Sequence, residues 1–316
     1  MYADFLQCIA DGREWTQPPA QATSPAPAAA TPALHDSAIV EEPVIHEPPS
    51  TSAEPLVSEA YLKTWARDVE SQDYLDIHLT RLRRTLEITP PGAEPDRVLE
   101  MGAYLQITPA LRTKLGYGEV RGCYLGPLGK VDHKHAVSLE GEEFTCEIDL
   151  FNAEKDRFPY PEEHFATVLC CELIEHLEQD PMFLMSEVNR VLKPGGHLVM
   201  TTPNIASLRA IKAILMGYHP GFFPAYLKPS PSGNDEARHA REYTPQEIMM
   251  MFLDAGFEMT LLETGPFRDL PRPEEHWIRN LLDRYLLSSQ YRGDGIYAVG
   301  RKTGPVKERY PSWLYQ

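Results

Sequence analysis

Short apolar runs alternate with helix-like stretches between residues 97 and 302. The runs are five to seven residues long and, as a group, rich in Val, Leu, Ile and Phe, which is typical of strands. Several stretches between them repeat apolar positions every three or four residues, as one face of a helix does. This alternation predicts an α/β domain with a mostly parallel sheet. Strands are expected at 97–101, 119–124, 144–148, 166–171, 197–202, 257–263 and 295–301.

Helix signals occur before the first strand and between later strands. Leu75, Leu79, Leu82 and Leu86 have the spacing of one helical face. A helix is also predicted from Pro181 to residue 192, because Asp180 is a favourable N-cap and a Pro-Gly-Gly run follows at 194–196. Further helices are expected at 108–115, 206–216, 245–255 and 274–287.

The N-terminal region has a different composition. Residues 17–55 contain nine Pro and nine Ala among 39 positions, which is too little apolar surface to offset chain entropy. Residues 1–56 are therefore predicted to be a disordered, Pro/Ala-rich acidic tail, in which residues 1–15 form either a short docking helix or a frayed terminus. We expect a helical segment over 57–96, the α/β domain over 97–302 and a C-terminal tail over 303–316.

Composition and charge narrow the classes of function. The chain of 316 residues is 42% apolar and carries a net charge of −16, of which residues 1–56 contribute −7. This acidity disfavours nucleic acid as a partner, because duplex binding needs clustered Lys and Arg. No apolar run is long enough to span a membrane, and no secretion signal is evident. The five Cys show no paired spacing, so we expect thiols in a reducing, cytoplasmic compartment. The oligomeric state is not indicated.

Candidate ligand-binding residues stand where predicted strands end. In open parallel sheets, ligands bind beyond the carboxyl ends of the strands. Glu100 and Gly102 follow the first strand, and Asp149 and Leu150 follow the third. The fourth strand leads into Cys171-Glu172-Leu173-Ile174-Glu175-His176. These residues are expected to meet at one edge of the sheet.

Three segments occur in a specific order and spacing. They are Val-Leu-Glu-Met-Gly at 98–102, Phe-Pro-Tyr at 158–160 with Phe-Ala-Thr-Val-Leu at 165–169, and Leu-Lys-Pro-Gly-Gly-His-Leu at 192–198. Together they resemble the class I S-adenosylmethionine-dependent methyltransferases over about residues 97–302. The resemblance implies a Rossmann-like sheet of seven mostly parallel strands with flanking helices, in which the last strand is antiparallel. It also implies S-adenosyl-L-methionine as the cofactor.

The same resemblance implies cofactor-binding roles for individual residues. Glu100 and Gly102 would line the methionine and ribose end, Asp149 would accept from the adenine amino group, and Leu150 would lie against the ring. Cys171 would offer its backbone beside the methionine moiety. Two departures stand out: residues 103–106 lack the family's further glycines, and the second strand ends in Gly-Cys-Tyr without an acid. We therefore expect either that the cofactor turn is built differently or that cofactor binding is weaker than is usual in the family.

A second group of residues has the chemistry of a metal site. If Glu172, Glu175 and His176 open a helical turn, they share one face, and carboxylates with an imidazole suit Mg²⁺ or Mn²⁺. This stretch resembles the ubiquinone-pathway O-methyltransferases and the small-RNA 2′-O-methyltransferases, and the RNA branch adds a later His, which corresponds to His239. The resemblance implies that neighbouring hydroxyls of the acceptor chelate the metal ion. Two alternatives remain open: His176 acts as a base without metal, or the group is purely structural.

The leading functional hypothesis is a metal-assisted O-methyltransferase that acts on a sugar, glycan or small molecule. The later half of the chain resembles bacterial enzymes of polysaccharide or natural-product tailoring, and residues 217–243 lie where the family has a substrate cap. One alternative is RNA 2′-O-methylation, which shares the metal residues but conflicts with the acidic charge. Another is a catalytically degenerate methyltransferase fold that serves as a binding module.

Overall fold

The computed structural model describes residues 57–223, 239–269 and 275–316. The disordered tail predicted over 1–56, with its alternative docking helix, lies outside these ranges. Much of the predicted substrate cap lies outside them as well, as do residues 270–274 near the start of the last predicted helix.

Within the described ranges, eight strands form a single sheet: β1 Arg97–Met101, β2 Glu119–Tyr124, β3 Lys130–Val137, β4 Glu143–Leu150, β5 Phe165–Cys171, β6 Leu192–Pro203, β7 Phe257–Gly265 and β8 Gly295–Lys302. Their order across the sheet is β3-β4-β2-β1-β5-β6-β8-β7. Strands β1, β2, β4, β5 and β6 run parallel, whereas β8 is antiparallel to both β6 and β7. This confirms the Rossmann-like fold class with its antiparallel last strand.

One strand exceeds the seven that the sequence predicts. Strand β3 is an antiparallel edge strand on β4, and its residues are mostly exposed. It contains two Lys and two His among eight positions, so it lacks the apolar alternation by which strands are recognised. Charged side chains are common on such edges, because they discourage pairing with another chain.

Helices flank the sheet on both faces. Most of them begin and end within about two residues of the predicted bounds. In α2 (Val69–Ile88), the four spaced leucines are buried as one face, which packs on β6 and β8. Asp180 caps α4 (Pro181–Val191) by accepting from the Phe183 amide at 3.0 Å. The helices are α1 Glu59–Thr64, α2 Val69–Ile88, α3 Thr108–Thr113, α4 Pro181–Val191, α5 Leu208–Leu215, α6 Pro245–Asp254 and α7 His276–Arg284. None of the helices within the described ranges is long and apolar enough to cross a membrane.

Apolar residues fill both faces of the sheet because neighbouring strand residues point to opposite sides. Val98 packs with the face that α1, α2 and α3 cover, whereas Leu99 packs with the face that α4 and α6 cover. The segment after β8 is docked on the second face, where Trp313 and Tyr315 pack against the core. The Tyr315 hydroxyl donates to Asp180 at 2.6 Å, which ties this C-terminal segment to the start of α4.

Strand register brings the predicted ligand-binding positions to one edge. Met101 at the end of β1 lies beside Cys123 of β2 and Cys170 of β5, and Cys123 lies beside Asp149 of β4. Because these strands are parallel, the loops that follow them emerge on the same side of the sheet.

Candidate active site

The turn after β1 combines a glycine with an unusual non-glycine residue. Gly102 has a φ of +72°, and open space surrounds the position that a side chain would occupy. Its amide donates to the Cys123 carbonyl at 2.7 Å. Leu105 also adopts a left-handed backbone, with a φ of +67°, which costs an L-residue roughly 1–2 kcal/mol. Leu105 thus takes a conformation that glycine adopts without strain.

Glu100 is buried just before this turn. Its side chain is 5% exposed, and its Oε2 atom has no hydrogen-bond partner within the described part of the chain. Burial raises the pKa of Glu100 to about 7, and the nearby Thr108 hydroxyl offsets part of this effect. A buried carboxyl with an unused oxygen is costly unless a ligand completes its hydrogen bonds.

Asp149 lies in a polar network at the end of β4. Arg121 of β2 grips both carboxylate oxygens, with Nη2 at 2.9 Å from Oδ1 and 2.7 Å from Oδ2. The Tyr160 hydroxyl donates to Oδ2 at 2.8 Å. An adenine amino group would therefore have to use the remaining lone pair on Oδ1. Sequence reasoning missed Arg121 and Tyr160, although Tyr160 belongs to the Phe-Pro-Tyr segment.

The other two predicted cofactor residues lie near the same edge. Leu150 is nearly buried and faces the opposite side of the sheet from Asp149, in contact range of Gly126. Cys171 ends β5, and burial raises the pKa of its thiol to about 12, so the thiol stays protonated near neutral pH. Strand β2 ends at Tyr124, where the resemblance would lead one to expect an acid. The Tyr124 hydroxyl donates to Asp132 of β3 at 2.5 Å.

The segment after β5 does not form the α-helical turn that would place Glu172, Glu175 and His176 on one face. Glu172 has a left-handed φ of +53°, and a short 3₁₀ helix follows at Ile174–His176. Glu172 therefore does not share a face with Glu175 and His176. Its Oε1 atom accepts from the Thr201 hydroxyl at 2.7 Å and lies 3.7 Å from the Arg81 guanidinium.

Three of the four predicted metal residues converge. Glu175, His176 and His239 each offer a ligand atom, and these atoms lie within 4.8 Å of one another. The rings of His176 and His239 meet edge to face at 5.0 Å between centroids. We call these three residues the carboxylate–histidine cluster. The sequence separation of 63 positions between its two histidines is closed by backbone bonds, because the amides of Ala240 and Arg241 donate to the Glu175 carbonyl at 2.7 and 3.1 Å.

Glu175 is completely buried within this cluster. The Thr202 hydroxyl donates to its Oε2 atom at 3.0 Å, while Oε1 has no hydrogen-bond partner among the described residues. Burial, and secondarily the charge of Glu172, raise the pKa of Glu175 well above its usual range. A bound cation would reverse this effect, since an opposite charge favours the ionised carboxylate.

His239 is held by a carboxylate that sequence reasoning missed. Its Nδ1 atom lies 2.9 Å from Oε1 of Glu242, and its Nε2 atom lies 4.0 Å from Oε1 of Glu175. The Phe222 amide also donates to Glu242, at 2.7 Å. Histidines that bind metals usually donate their second ring N–H to a carboxylate or carbonyl in this way. The signal in the sequence was the acid three residues after His239.

The cluster fits a divalent cation by its donor chemistry. It supplies one carboxylate and two imidazoles, with an unpartnered buried carboxylate oxygen facing His239. Carboxylate and imidazole ligands together suit Mn²⁺ and related ions, and Mg²⁺ would rely more on water and acceptor oxygens. Glu172 stands next to this set without belonging to it.

Comparison with known proteins adds a family match. A family model described as a methyltransferase domain matches residues 76–262. The ubiquinone biosynthesis O-methyltransferase of Vibrio cholerae is 27% identical over 213 residues, which cover 66% of this chain and 80% of that enzyme.

A solved structure shows a similar fold. The structure of a complex between the Haloferax volcanii Trm112 methyltransferase activator and a methyltransferase matches with a TM-score of 0.50 and 16% identity, covering 77% of this chain and 98% of the matched chain. A SAM-dependent methyltransferase from Archaeoglobus fulgidus matches with a TM-score of 0.43 and 18% identity, covering 71% of this chain and 92% of the other.

Proposed function

The chain belongs to the methyltransferase-domain family and is an S-adenosylmethionine-dependent methyltransferase, and we propose that it transfers the methyl group to a hydroxyl of a sugar, glycan or small molecule with the help of a divalent metal ion. The ubiquinone-biosynthesis relatives are O-methyltransferases, which supports oxygen as the acceptor atom. The acidic charge of −16 supports a small acceptor over RNA.

One observation supports this proposal: the carboxylate–histidine cluster includes Glu175 and His176, which follow the carboxyl end of β5, four and five residues after the proposed cofactor residue Cys171. Glu175 offers an unpartnered buried oxygen, and Glu242 supports His239 from behind. A buried carboxylate that lacks a partner is expensive unless an ion or ligand completes its surroundings.

We assign the cofactor to the loops after β1, β4 and β5. The open side of Gly102 lets the methionine and ribose end approach the backbone, and the unused oxygen of Glu100 can accept a hydrogen bond there. Asp149 would accept from the adenine amino group, Leu150 would border the ring from the other side of the strand end, and the backbone of Cys171 would border the methionine moiety. The sulfonium methyl would then point toward the cluster, which begins four residues after β5.

Glu175, His176 and His239 would hold the ion. When bound, a divalent ion lowers the pKa of a coordinated hydroxyl and holds two neighbouring oxygens in place. The protein contributes the positions: Thr202 fixes one Glu175 oxygen, and Glu242 fixes the imidazole of His239. The complete burial of Glu175 would help to exclude water from the reacting oxygen and would favour attack on the methyl group over side reactions.

A metal-free route uses the same residues differently. His176 lies next to His239 at the cluster, and a neutral imidazole can accept the hydroxyl proton near neutral pH. The two routes differ in acceptor scope: the metal route should require two adjacent oxygens on the acceptor, whereas the general-base route should accept an isolated hydroxyl.

Binding of Mn²⁺ to the full-length protein tests the proposal without knowledge of the acceptor. We expect one Mn²⁺ per chain by calorimetry or electron paramagnetic resonance. Glu175→Gln keeps the side-chain shape and removes its charge, so Mn²⁺ affinity should fall at least about tenfold, the usual cost of losing a charged ligand interaction. Glu258→Gln, an exposed acid on β7, serves as the control and should bind normally. Full methyl transfer in excess chelator, once an acceptor is found, would contradict the metal route and leave His176 as the base.

A further inference from the structure

Three arginines surround a group of phenyl rings next to the carboxylate–histidine cluster. The guanidinium carbons of Arg81 and Arg268 lie 5.6 and 5.8 Å from the ring centre of Phe267. The Arg209 guanidinium stacks over Phe222 at 3.9 Å, and the Phe222 and Phe267 rings are 4.6 Å apart. Stacked guanidinium groups keep their positive charge while their flat faces are desolvated. We call this group, with Phe223, the arginine wall.

The arginine wall adjoins the carboxylate–histidine cluster at two points. The Phe223 ring meets the His239 ring edge to face at 4.5 Å, and Arg268 lies 5.8 Å from the Phe223 ring centre. On the other side, Arg81 reaches Glu172, which is three residues before Glu175. A molecule bound against the arginine wall would therefore extend to the reacting centre.

The buried donors of Arg81 and Arg268 are incompletely used. Arg81 is 3% exposed, and its Nη2 donates to the Tyr74 hydroxyl at 2.9 Å. The buried Nε atoms of Arg81 and Arg268 have no acceptor among the described residues. A guanidinium group has five N–H donors, and a buried donor without an acceptor costs free energy. An anionic ligand would supply the missing acceptors.

The nearby negative charges are partly engaged. Oε1 of Glu172 accepts from Thr201 and faces Arg81, while its Oε2 has no hydrogen-bond partner among the described residues. Asp269 accepts from the Thr80 amide at 2.8 Å. The effect of the positive charge is visible at His78, whose pKa falls to about 4 because of its burial and the charges of Arg81 and Arg268. The arginine wall thus concentrates positive charge in a chain whose net charge is −16.

We propose that the arginine wall binds an anionic group of the methyl acceptor, a carboxylate or a phosphate, so that the substrate is an acidic sugar or a comparable small hydroxy acid. This inference rests on the proposed O-methyl transfer at the adjoining cluster. The planar guanidinium fork matches the geometry of carboxylate and phosphate oxygens, and the phenyl rings suit the apolar face of a sugar ring. A neutral sugar would leave the buried Nε donors unmatched.

Three probes that differ only at carbon 6 separate the possibilities. Glucose, glucuronate and glucose 6-phosphate are titrated calorimetrically into the full-length protein with S-adenosylhomocysteine present. We expect at least one acidic sugar to bind about tenfold or more tightly than glucose, since charge-assisted hydrogen bonds contribute at this scale. The tighter of the two acids identifies the anion as a carboxylate or a phosphate.

Arg268→Gln tests the arginine wall with a partly exposed side chain whose loss should not prevent folding. It should remove about tenfold of the affinity for the acidic sugar and leave glucose binding unchanged. Arg301→Gln changes an exposed arginine that is paired with Glu258, and it is the matched control.

Equal binding of the three sugars would overturn the inference, and so would a preference for acidic sugars that survives Arg268→Gln. A short RNA that binds more tightly than both acidic sugars would overturn it as well. Because binding requires no methyl transfer, these outcomes are separate from the fate of the proposed reaction.

Discussion

The Nδ1 atom of His239 lies 2.9 Å from the Oε1 atom of Glu242, and both side chains are almost fully buried. A carboxylate can only accept a hydrogen bond, so this contact places the proton of a neutral His239 on Nδ1. The lone pair of Nε2 then faces Glu175, 4.0 Å away. One hydrogen bond thus sets which nitrogen of His239 is available as a ligand.

Glu242→Ala should therefore weaken metal binding although Glu242 is not itself a ligand. Removing such a supporting partner typically lowers metal affinity about 10–100-fold, whereas Glu242→Gln, which retains an acceptor oxygen, should recover part of the loss. Mn²⁺ titration measures the affinity. Nitrogen NMR of the ion-free protein measures the tautomer of His239, and an unchanged tautomer in Glu242→Ala would contradict the orienting role.

Glu100 should make the stability of the ligand-free protein depend on pH. Its folded pKa of about 7 lies above the ordinary value of 4.5, so the folded state holds the proton more tightly than the unfolded state. Stability should fall as pH rises from about 4.5 to about 7, by up to about 3 kcal/mol for this single group. Urea unfolding of the natural protein and of Glu100→Gln, compared at pH 5 and pH 7.5, isolates the effect. A difference between the two proteins that does not change with pH would contradict the assignment.

Asp149→Asn should weaken binding of S-adenosylmethionine. It retains the side-chain shape but replaces a charged acceptor, which costs about 1–3 kcal/mol when the group is buried, or roughly tenfold to a hundredfold in affinity. Glu147→Gln is the matched control, because Glu147 also pairs with Arg121 but is half-exposed. If both variants lose the same affinity, the effect arises from Arg121 rather than from contact between Asp149 and adenine.

A shortened protein that begins at residue 57 should retain its thermal stability and its affinity for S-adenosylmethionine. The reason is compositional, since a segment with nine Pro and nine Ala among 39 residues offers little apolar surface for a core. Thermal unfolding and calorimetric titration of the full-length and shortened proteins provide the comparison. A marked fall in either quantity would show that the removed residues pack on the domain.

Most strands of the sheet could be predicted from the sequence because they are short apolar runs, which the local pattern of residues is enough to identify. The strands at 97–101 and 119–124 were predicted to the residue. The start of α6 at Pro245 agrees with the helix predicted from residue 245, and the structure adds reciprocal capping bonds at 3.2 and 2.8 Å between Thr244 and Glu247. Strand β3 was not predicted, because an exposed edge strand carries no apolar pattern.

The candidate site likewise has a part that local sequence patterns predict and a part that they do not. Sequence alone determined which residues follow the strands, and with them Glu175 and His176, because the carboxyl ends of parallel strands are fixed by the order of the elements. Only the tertiary structure decided three contacts: Glu172 pairs with Arg81, Arg121 donates hydrogen bonds to Asp149, and Glu242 is hydrogen-bonded to His239. These contacts join side chains from different elements, and their distances depend on strand register and loop conformation, which local patterns do not encode.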